Sequence, residues 1–381
     1  MNPTRFSKAT SLACLRIALP LVFLSMIPAG CKPFLSLGQN PSGEDLKKIE
    51  TLPNYQNGEF QNLERIPSPI SQQSTARRGP RWLGMTKYLF GKPKITRPSR
   101  PVPVAITDLK KTTYEKPTVV WFGHSAVLLK TKTANILFDP SFSNYAGPLS
   151  GLVKAFEGTN AYDYRDMPEI DALVISHDHY DHLDYTTVKK LRKKVKRVIV
   201  PIGVGSHFRK WGYAADKITE LNWNESYRLN DSVLITATPA HHRSNRTFEQ
   251  RKTLWASYVI QADGHRIYFS GDTGYSKHFK LIGDQHGPFD LALLECGQYN
   301  KRWSQSHMHP SQTVQAAVDL GAKMIIPIHW GKFAESDHPW NEPVKLLIAS
   351  ADSLNKKVTV PFIGQPYTVG TEIPFIKWWD F

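Results

Sequence analysis

The sequence predicts an α/β fold for residues 117–381, and three observations support this prediction. Short runs of apolar and β-branched residues begin at Thr118 and are separated by turn residues, a pattern typical of strands. Helical stretches lie between some of these runs, the clearest at Tyr185–Val195 and Pro310–Leu320, where apolar residues recur at helical spacing. Histidines and aspartates stand just beyond several strand-like runs. We therefore expect these side chains to meet at one edge of a shared sheet.

The predicted strands follow one another along this part of the chain. They are Val119–Phe122, Ala126–Lys130, Asn135–Asp139, Asp171–Ser176, Arg197–Pro201, Val233–Pro239, Ser257–Gln261, His265–Ser270, Leu291–Glu295 and Lys323–Ile328. The basic run Lys189–Arg197 is interpreted as the solvated face of a helix rather than as a nucleic-acid patch. Gly203-Val204-Gly205 lacks the third glycine and the acidic partner of a dinucleotide site, so it is interpreted as a turn.

Residues 1–31 have the pattern of a targeting segment. Basic residues precede the apolar stretch Ile17–Ile27, which is too short to span a membrane as a mature helix. The segment ends in Pro28-Ala29-Gly30-Cys31, which resembles the lipobox of bacterial lipoproteins, although Pro28 departs from the usual residue there. The resemblance implies a lipid on Cys31 that holds the protein to the bacterial cell envelope, at the outer membrane or on the periplasmic face. The alternative is an ordinary secretory signal or an uncleaved apolar anchor.

The net charge of +15 is concentrated before residue 117. Residues 1–116 contain 18 Lys and Arg against 7 Asp and Glu, whereas residues 117–381 contain 30 against 26. A nearly balanced body argues against a dedicated nucleic-acid-binding surface, so no nucleic-acid partner is expected. A basic arm near an anionic bilayer is the simpler interpretation.

Residues 32–116 are predicted to form a basic, proline-rich tether and packing segment. Their Pro, Gln, Ser and Asn content suits extended linker conformations. Within this segment, Arg81–Pro93 interleaves aromatic and aliphatic residues with arginine and lysine, and it is too apolar for a free linker. We expect that part to pack on the body or to touch lipid.

The most informative stretch for chemistry is Ser176–Asp184, directly after an apolar strand. Here His177, His179, Asp181 and His182 place four metal-type ligands within six residues. At a strand end the chain can turn so that the first two point to one ion, while the last two, on the first turn of the following helix, point to a second. Imidazole and carboxylate ligands suit zinc, and two ions about 3.5–4 Å apart would clamp one bridging hydroxide.

Further candidate ligands occupy the same position relative to other predicted strands. His242 follows the strand that ends near Pro239, Asp272 follows the strand that ends near Ser270, and His329 follows the strand that ends at Ile328. A surface histidine unrelated to a metal would not keep this register. The sequence therefore offers enough ligands for two ions.

The motif His177-x-His179-x-Asp181-His182, together with Gly271-Asp272-Thr273-Gly274 and Ile328-His329-Trp330-Gly331, resembles the metallo-β-lactamase superfamily. The resemblance runs from about Thr118 to near the C-terminus, and it implies an αββα sandwich of two sheets flanked by helices. It also implies two zinc ions, with other divalent metals left open. One ion would be bound by His177, His179 and His242, the other by Asp181, His182 and His329, with Asp272 as the bridge. Because His241 adjoins His242, which of the two is the ligand stays open.

Within the superfamily, the chain more closely resembles bacterial and animal N-acyl phosphatidylethanolamine phospholipase D-like proteins. The added motifs are Trp121–Ala126, Asp139–Ser143 and His307-Met308-His309-Pro310. This resemblance implies a phosphate-side histidine at His307, in the loop before the second predicted helix. Sugar-phosphate lactonases of the same superfamily share several of these motifs.

The leading functional hypothesis is a phospholipase D-like phosphodiesterase that cleaves an N-acyl phosphatidylethanolamine-type phospholipid by means of metal-bound hydroxide. Its catalytic residues would be Asp272 and His307. The alternatives are a lactonase-like or nuclease hydrolase on the same metals, and a non-catalytic surface lipoprotein that retains the fold. The balanced charge of the body disfavours the nuclease.

Five residues near the predicted ligands have two interpretations each. His124 either orients a ligand or packs at a strand end. Asp178 and Asp184 either orient imidazoles or simply favour the start of a helix. Tyr275 and Trp330 either form a wall of the pocket or pack in the core.

Overall fold

A computed structural model describes residues 35–64, 92–148 and 152–381 of the chain. The predicted signal segment with Cys31, and residues 81–91 of the apolar and basic stretch, lie outside the described residues. In chain order the helices and strands are α1 (Glu44–Glu50), β1 (Tyr55–Gln56), β2 (Glu59–Phe60), β3 (Thr118–Trp121), β4 (Val127–Lys130), β5 (Asn135–Phe138), β6 (Ile170–Val174), α2 (Tyr185–Leu191), β7 (Val195–Pro201), α3 (Gly205–Lys210), β8 (Ile218–Leu221), β9 (Ser226–Asn230), β10 (Val233–Thr238), β11 (Ser257–Ala262), β12 (His265–Phe269), α4 (His278–His286), β13 (Leu291–Glu295), α5 (Pro310–Asp319), β14 (Met324–Ile328), α6 (Glu342–Ser353), β15 (Lys357–Val358) and β16 (Pro366–Thr368).

Two mixed sheets form the body. The first has the strand order β16-β3-β4-β5-β6-β7-β8, in which β5 to β8 run parallel and the other pairs are antiparallel. The second has the order β15-β14-β13-β12-β11-β10-β9, in which β12 to β15 run parallel and β9 to β12 antiparallel. The parallel strands of each sheet end at an edge from which the chain turns into the loops described below.

The layers are held together by apolar packing on both faces of each sheet. Side chains of the two sheets meet in one large buried cluster, for example Ile136 of β5 and Ile267 of β12. Leu191 of α2 packs on the outer face of the first sheet. Phe279 of α4 and Leu320, just after α5, pack on the outer face of the second. The predicted α/β fold, an αββα sandwich, is confirmed.

Part of the predicted tether and packing segment, residues 32–116, packs against the body where the structure describes it. Ile49 of α1, Tyr55 and Phe60 join Leu254 and Trp255 in a buried apolar cluster. The physical reason is that these apolar side chains are spaced so that α1 and the β1–β2 hairpin bury them together. Among the described residues, no helix is long and apolar enough to cross a membrane.

Candidate metal centre

The loop after β6 carries the densest group of candidate ligands. It runs from His177 to Leu183 and ends at Asp184, whose side chain accepts hydrogen bonds from the backbone amides of Thr186 and Thr187 and so caps α2. Asp181 and His182 therefore lie in the turn before the helix, not on its first turn as expected. The capping interpretation of Asp184 is the one that the structure supports.

Four side chains form the first half of the centre: His177, His179, His242 and Asp272. One potential ligand atom from each lies within 4.8 Å of the others. The Nε2 atoms of His177 and His242 are each 3.9 Å from Oδ2 of Asp272. His242 belongs to this group and the adjacent His241 does not.

The second half brings together Asp181, His182, His329 and His124. Oδ2 of Asp181 lies 3.0 Å from Nε2 of His182 and 3.6 Å from Nε2 of His329. Asp272 reaches this half as well, because its Oδ1 is 3.1 Å from Nε2 of His182 and its Oδ2 is 3.2 Å from Nε2 of His329. The carboxylate of Asp272 thus stands between the two halves, where a bridging ligand would stand.

The residues fit a pair of metal ions. Nε2 of His177, His182 and His329 and Oδ1 of Asp272 are buried and have no hydrogen-bond partner among the described residues. Buried polar atoms without partners are costly, and these converge on one small volume. Cations bound there would satisfy them together, and the mixture of imidazoles and carboxylates is a donor set that suits zinc.

Most of the imidazoles are oriented through Nδ1, which leaves Nε2 for the centre. Nδ1 of His182 lies 2.8 Å from Oδ2 of Asp139, and Nδ1 of His177 lies 2.9 Å from Oγ of Ser176. Nδ1 of His242 is 3.1 Å from the backbone carbonyl of Ser306. Such partners fix the tautomer and direction of a ligating histidine. Nδ1 of His329 is 3.4 Å from Oε2 of Glu295, an ion-pair contact and not a hydrogen bond, so His329 is not fixed in the same way.

Asp139 and Glu295 were not assigned a role from the sequence, although both were visible there. Asp139 directly follows β5, and Glu295 ends β13. They share the position relative to a strand end that the ligands have. That shared position is the signal by which they could have been found.

Electrostatics keep the first half ready for a cation. Burial, with the neighbouring imidazoles of His182 and His179, holds the pKa of His177 well below its usual value. Burial likewise lowers the pKa of His179 to about 4. Burial opposes ionisation of Asp272, but the imidazoles of His182 and His329 outweigh it and hold the pKa of its carboxyl well below the usual range. Neutral imidazoles and an ionised carboxylate are the protonation states that bind metal.

Of the two interpretations of His124, the structure supports contact with a ligand. Its Nε2 lies 2.7 Å from Oδ2 of Asp181. Burial, with the charge of His329, lowers the pKa of His124 to about 3, so at neutral pH it is an uncharged donor to that carboxylate. Asp178 instead accepts hydrogen bonds from the backbone of Asn245 and the hydroxyl of Thr253, away from the ligands.

The two aromatic residues beside predicted ligands pack against other rings. Trp330 stacks on Trp121 and Trp378 in the core. Tyr275 stacks on Phe279, and its hydroxyl donates to Asp319. The core-packing interpretation therefore holds for both.

His307 lies at the centre rather than at the helix start. Its Nδ1 is 3.7 Å from Oε2 of Glu295 and 3.9 Å from Oδ2 of Asp272, and its ring stacks over that of His329 at 5.1 Å. The cap of α5 is His309, whose side chain accepts from the amide of Ser311. His307 is 14% exposed, so a substrate can reach it.

A cavity of about 530 Å³ opens over the centre, and we call it the metal pocket. His179, Asp181, His242 and His307 form its floor. Apolar side chains line another part of the pocket, and we call Ala146, Pro148, Leu152, Val153 and Trp303 together the apolar wall. The pocket thus combines a metal-type floor with a wall that suits a hydrocarbon chain.

Comparison with known proteins gives relatives at several levels. Residues 134–330 match the family described as Beta-lactamase superfamily domain. The chain is 39% identical over 334 residues to an uncharacterized protein of Mycobacterium tuberculosis, covering 87% of this chain and 88% of that protein. It is 34% identical over 231 residues to N-acyl-phosphatidylethanolamine-hydrolyzing phospholipase D 1 of Caenorhabditis elegans, covering 56% of this chain and 63% of that protein. The solved structure of Igni18, a metallo hydrolase from Ignicoccus hospitalis, is similar in fold, with a TM-score of 0.53 and 20% identity over 68% of this chain and 100% of that one.

Proposed function

The chain belongs to the beta-lactamase superfamily as a metal-dependent hydrolase of the metallo-β-lactamase fold, and from this we propose that it cleaves a phosphodiester with two zinc ions. The observation that carries the proposal is the carboxylate of Asp272, which lies between two groups of candidate ligands with His307 beside it. The proposed substrate is a phospholipid of the N-acyl phosphatidylethanolamine type. The similarity to the C. elegans enzyme of that name supports this choice.

The ligand residues have separate roles in this proposal. His177, His179 and His242 hold one ion, and Asp181, His182 and His329 hold the other, with Asp272 shared. Bound divalent ions would supply positive charge at the phosphate and lower the pKa of water from about 15.7 to about 7. The fixed Nδ1 partners of the histidines keep these ligands from reorienting when substrate enters.

His307 acts on the phosphate in this proposal. Its Nδ1 faces the carboxylates of Glu295 and Asp272, so its Nε2, on the other side of the ring, is the nitrogen left for substrate. From there it would donate a hydrogen bond to a non-bridging oxygen. One donor placed where charge develops contributes typically about 10²–10³ in rate.

The shape of the metal pocket supports an amphiphilic substrate. Its apolar wall, with Leu152, Val153 and Trp303, stands next to the candidate ligands. A hydrocarbon chain placed against that wall would leave water, which favours binding by about 25 cal/mol for each Å² buried. A small polar diester would not gain this contribution.

We also propose that a lipid on Cys31 holds the pocket at the membrane surface. Ser36 donates a hydrogen bond from its hydroxyl to the carbonyl of Pro148, 3.1 Å away, and Pro148 lines the metal pocket. Ser36 follows Cys31 by five residues, which span at most about 18 Å of extended chain. An anchor at Cys31 would therefore keep the pocket close to lipid substrate.

The test compares the wild type with His307→Ala on N-acyl phosphatidylethanolamine, a soluble phosphodiester and a lactone, with zinc content measured in parallel. We expect the phospholipid to be cleaved fastest and the variant to lose at least about 10²-fold with its metal retained. His265→Ala, at the far end of β12, is the matched control. Lactone hydrolysis far above diester cleavage would overturn the substrate class, and full diester turnover by His307→Ala would remove His307 from the mechanism.

A further inference from the structure

A second cavity, of about 490 Å³, lies beside the metal pocket, and we call it the side cavity. His307 is the one described residue that lines both. The side cavity is walled by hydroxyl, amide and imidazole side chains and by Lys301, and no carboxylate of the described residues lines it. Most of its surface is carbon, contributed by rings and aliphatic stems, and the polar groups of these side chains stand at a few points within it.

Aromatic rings make one wall of the side cavity flat and fixed. The rings of Tyr299 and His338 stack at 4.4 Å with an angle of 18°, and His309 meets Tyr299 edge-on at 5.0 Å. The hydroxyl of Tyr299 donates to the carboxylate of Glu342, which holds the ring in place. Flat rings of this kind favour contact with the C–H groups of a ligand.

The same wall offers both kinds of hydrogen-bonding group. Nδ1 of His338 lies 2.9 Å from the carbonyl of Pro339, so Nδ1 carries the proton and Nε2 is an acceptor. That Nε2 is buried and has no partner in the described parts of the chain. His309 accepts through Nδ1 from the amide of Ser311, which leaves its Nε2 as a donor. A hydroxyl group, which both donates and accepts, matches this pair.

Charge restricts the ligand further. Lys301 supplies positive charge, and no described carboxylate in the wall balances it. A quaternary ammonium or a primary ammonium would be repelled there. An uncharged group that carries hydroxyls would not be repelled by Lys301.

The two cavities would receive the two arms of one diester. A phosphate beside His307, which lies 3.9 Å from Asp272, is next to both cavities, because His307 lines each of them. Building on the proposed function, we propose that the side cavity binds the leaving alcohol when that alcohol carries hydroxyl groups, so that phosphatidylglycerol-type diesters are substrates. Water adds to phosphorus, the bond from phosphorus to the alcohol oxygen breaks, and that oxygen takes a proton, giving phosphatidic acid and glycerol.

The experiment is an internal competition among phosphatidylglycerol, phosphatidylmethanol and phosphatidylcholine with the same acyl chains in the same mixed micelles. The disappearance of each lipid, followed by mass spectrometry, gives ratios of kcat/KM that do not depend on the amount of active enzyme. Methanol is too small to reach the side cavity, and choline is cationic. We expect zinc-loaded wild type to prefer phosphatidylglycerol over phosphatidylmethanol by about fivefold or more, from the hydrogen bonds gained.

Two variants locate the preference in the side cavity. His338→Phe keeps the stacked ring but removes the acceptor, and it should bring the ratio of phosphatidylglycerol to phosphatidylmethanol to about one. Lys301→Glu changes an exposed side chain, and it should shift preference toward phosphatidylcholine by about fivefold. His265→Phe and Lys377→Glu make the same chemical changes outside both cavities, and they should leave the ratios as they are in the wild type.

The possible outcomes separate this inference from the proposed function. A zinc-loaded wild type that cleaves neither these three diesters nor N-acyl phosphatidylethanolamine refutes both, whereas one that cleaves only N-acyl phosphatidylethanolamine refutes the side cavity alone. A wild type that cleaves the three diesters without favouring phosphatidylglycerol, or a His338→Phe variant that keeps the preference, also refutes the side cavity alone.

Discussion

The substitution Asp139→Asn tests whether a residue that binds no metal sets the strength of the metal site. Asp139 is buried and accepts three hydrogen bonds: from the backbone amide of Ser176 at 2.7 Å, from the hydroxyl of Ser176 at 2.5 Å and from Nδ1 of His182 at 2.8 Å. Its φ of 39° lies in the left-handed region, which asparagine adopts readily. The substitution therefore leaves the backbone unstrained and changes the acceptor alone.

The amide of asparagine cannot serve all three donors. If the NH₂ group of the new asparagine takes the place of Oδ2, it points at the N–H of His182. If the amide is rotated by 180°, the NH₂ group points at the backbone N–H of Ser176 instead. In either orientation a buried donor faces a donor, which costs about 1–3 kcal/mol. Loss of such a partner typically weakens metal binding by about 10- to 100-fold, which agrees with that cost.

The assay is an equilibrium competition for zinc between the protein and a chromophoric chelator, with the fold checked by circular dichroism. The control is Asp171→Asn on β6, a carboxylate that pairs with Lys196 at 2.8 Å and is remote from the ligands. A folded Asp139→Asn protein whose zinc affinity stays within about twofold of the wild type would refute the idea that this hydrogen bond positions His182.

Three further predictions concern the metal centre, a buried lysine and the lipid anchor expected from the sequence. Asp272 contacts both halves of the centre, so Asp272→Asn should bind one zinc ion or none per chain, instead of two, and should lose activity. Elemental analysis measures the zinc content, and an active wild type with a single ion would contradict the dinuclear site. Burial lowers the pKa of Lys332 to about 7, far below that of lysine in an unfolded chain. Above pH 7 the unfolded chain therefore binds one proton more than the folded protein, and the free energy of unfolding rises by about 2 kcal/mol from pH 7 to 9. Lys332→Met should unfold at higher denaturant at pH 7 and lose this rise, and an unchanged pH slope in the variant would exclude Lys332 as its source. Cys31→Ser should move the protein out of the membrane fraction, whereas wild type that carries no lipid on Cys31 in mass spectrometry yet stays membrane-bound would refute the anchor.

The central strands could be predicted because both of their faces are buried. β4, β5 and β13 lie between the core and outer helices, so almost every residue in them is apolar and the runs stand out. The edge strands β9 and β16 did not stand out, since β9 is largely half-exposed and β16 has a single buried residue. A strand with one partner and a solvated face has no continuous apolar run to recognise.

The candidate ligands could be predicted for a related reason. Each ligand follows an apolar strand, so its position is visible in one stretch of sequence. The strand-end position of Asp139 and Glu295 was visible as well, but not which ligand each of them contacts. The partner of His182 is Asp139, 43 residues earlier and directly after a different strand, β5. Nothing local in the sequence states that β5 and β6 are neighbours, and that pairing is what brings the two side chains together.

The segment after Cys31 makes contacts that its composition does not reveal. Its polar and proline-rich content predicted a tether and packing segment without indicating where it docks. The carbonyl of Leu35 accepts from Nε1 of Trp211, and that of Ser36 accepts from Nε of Arg246. Backbone carbonyls are the same in every residue, so such docking leaves no pattern in the sequence. The buried guanidinium of Arg246 also donates to the carbonyls of Asp178 and Leu183, one near each end of the loop that carries His179, Asp181 and His182. The residues next to the predicted lipid anchor are thus joined, through one arginine, to the loop that presents three of the candidate metal ligands.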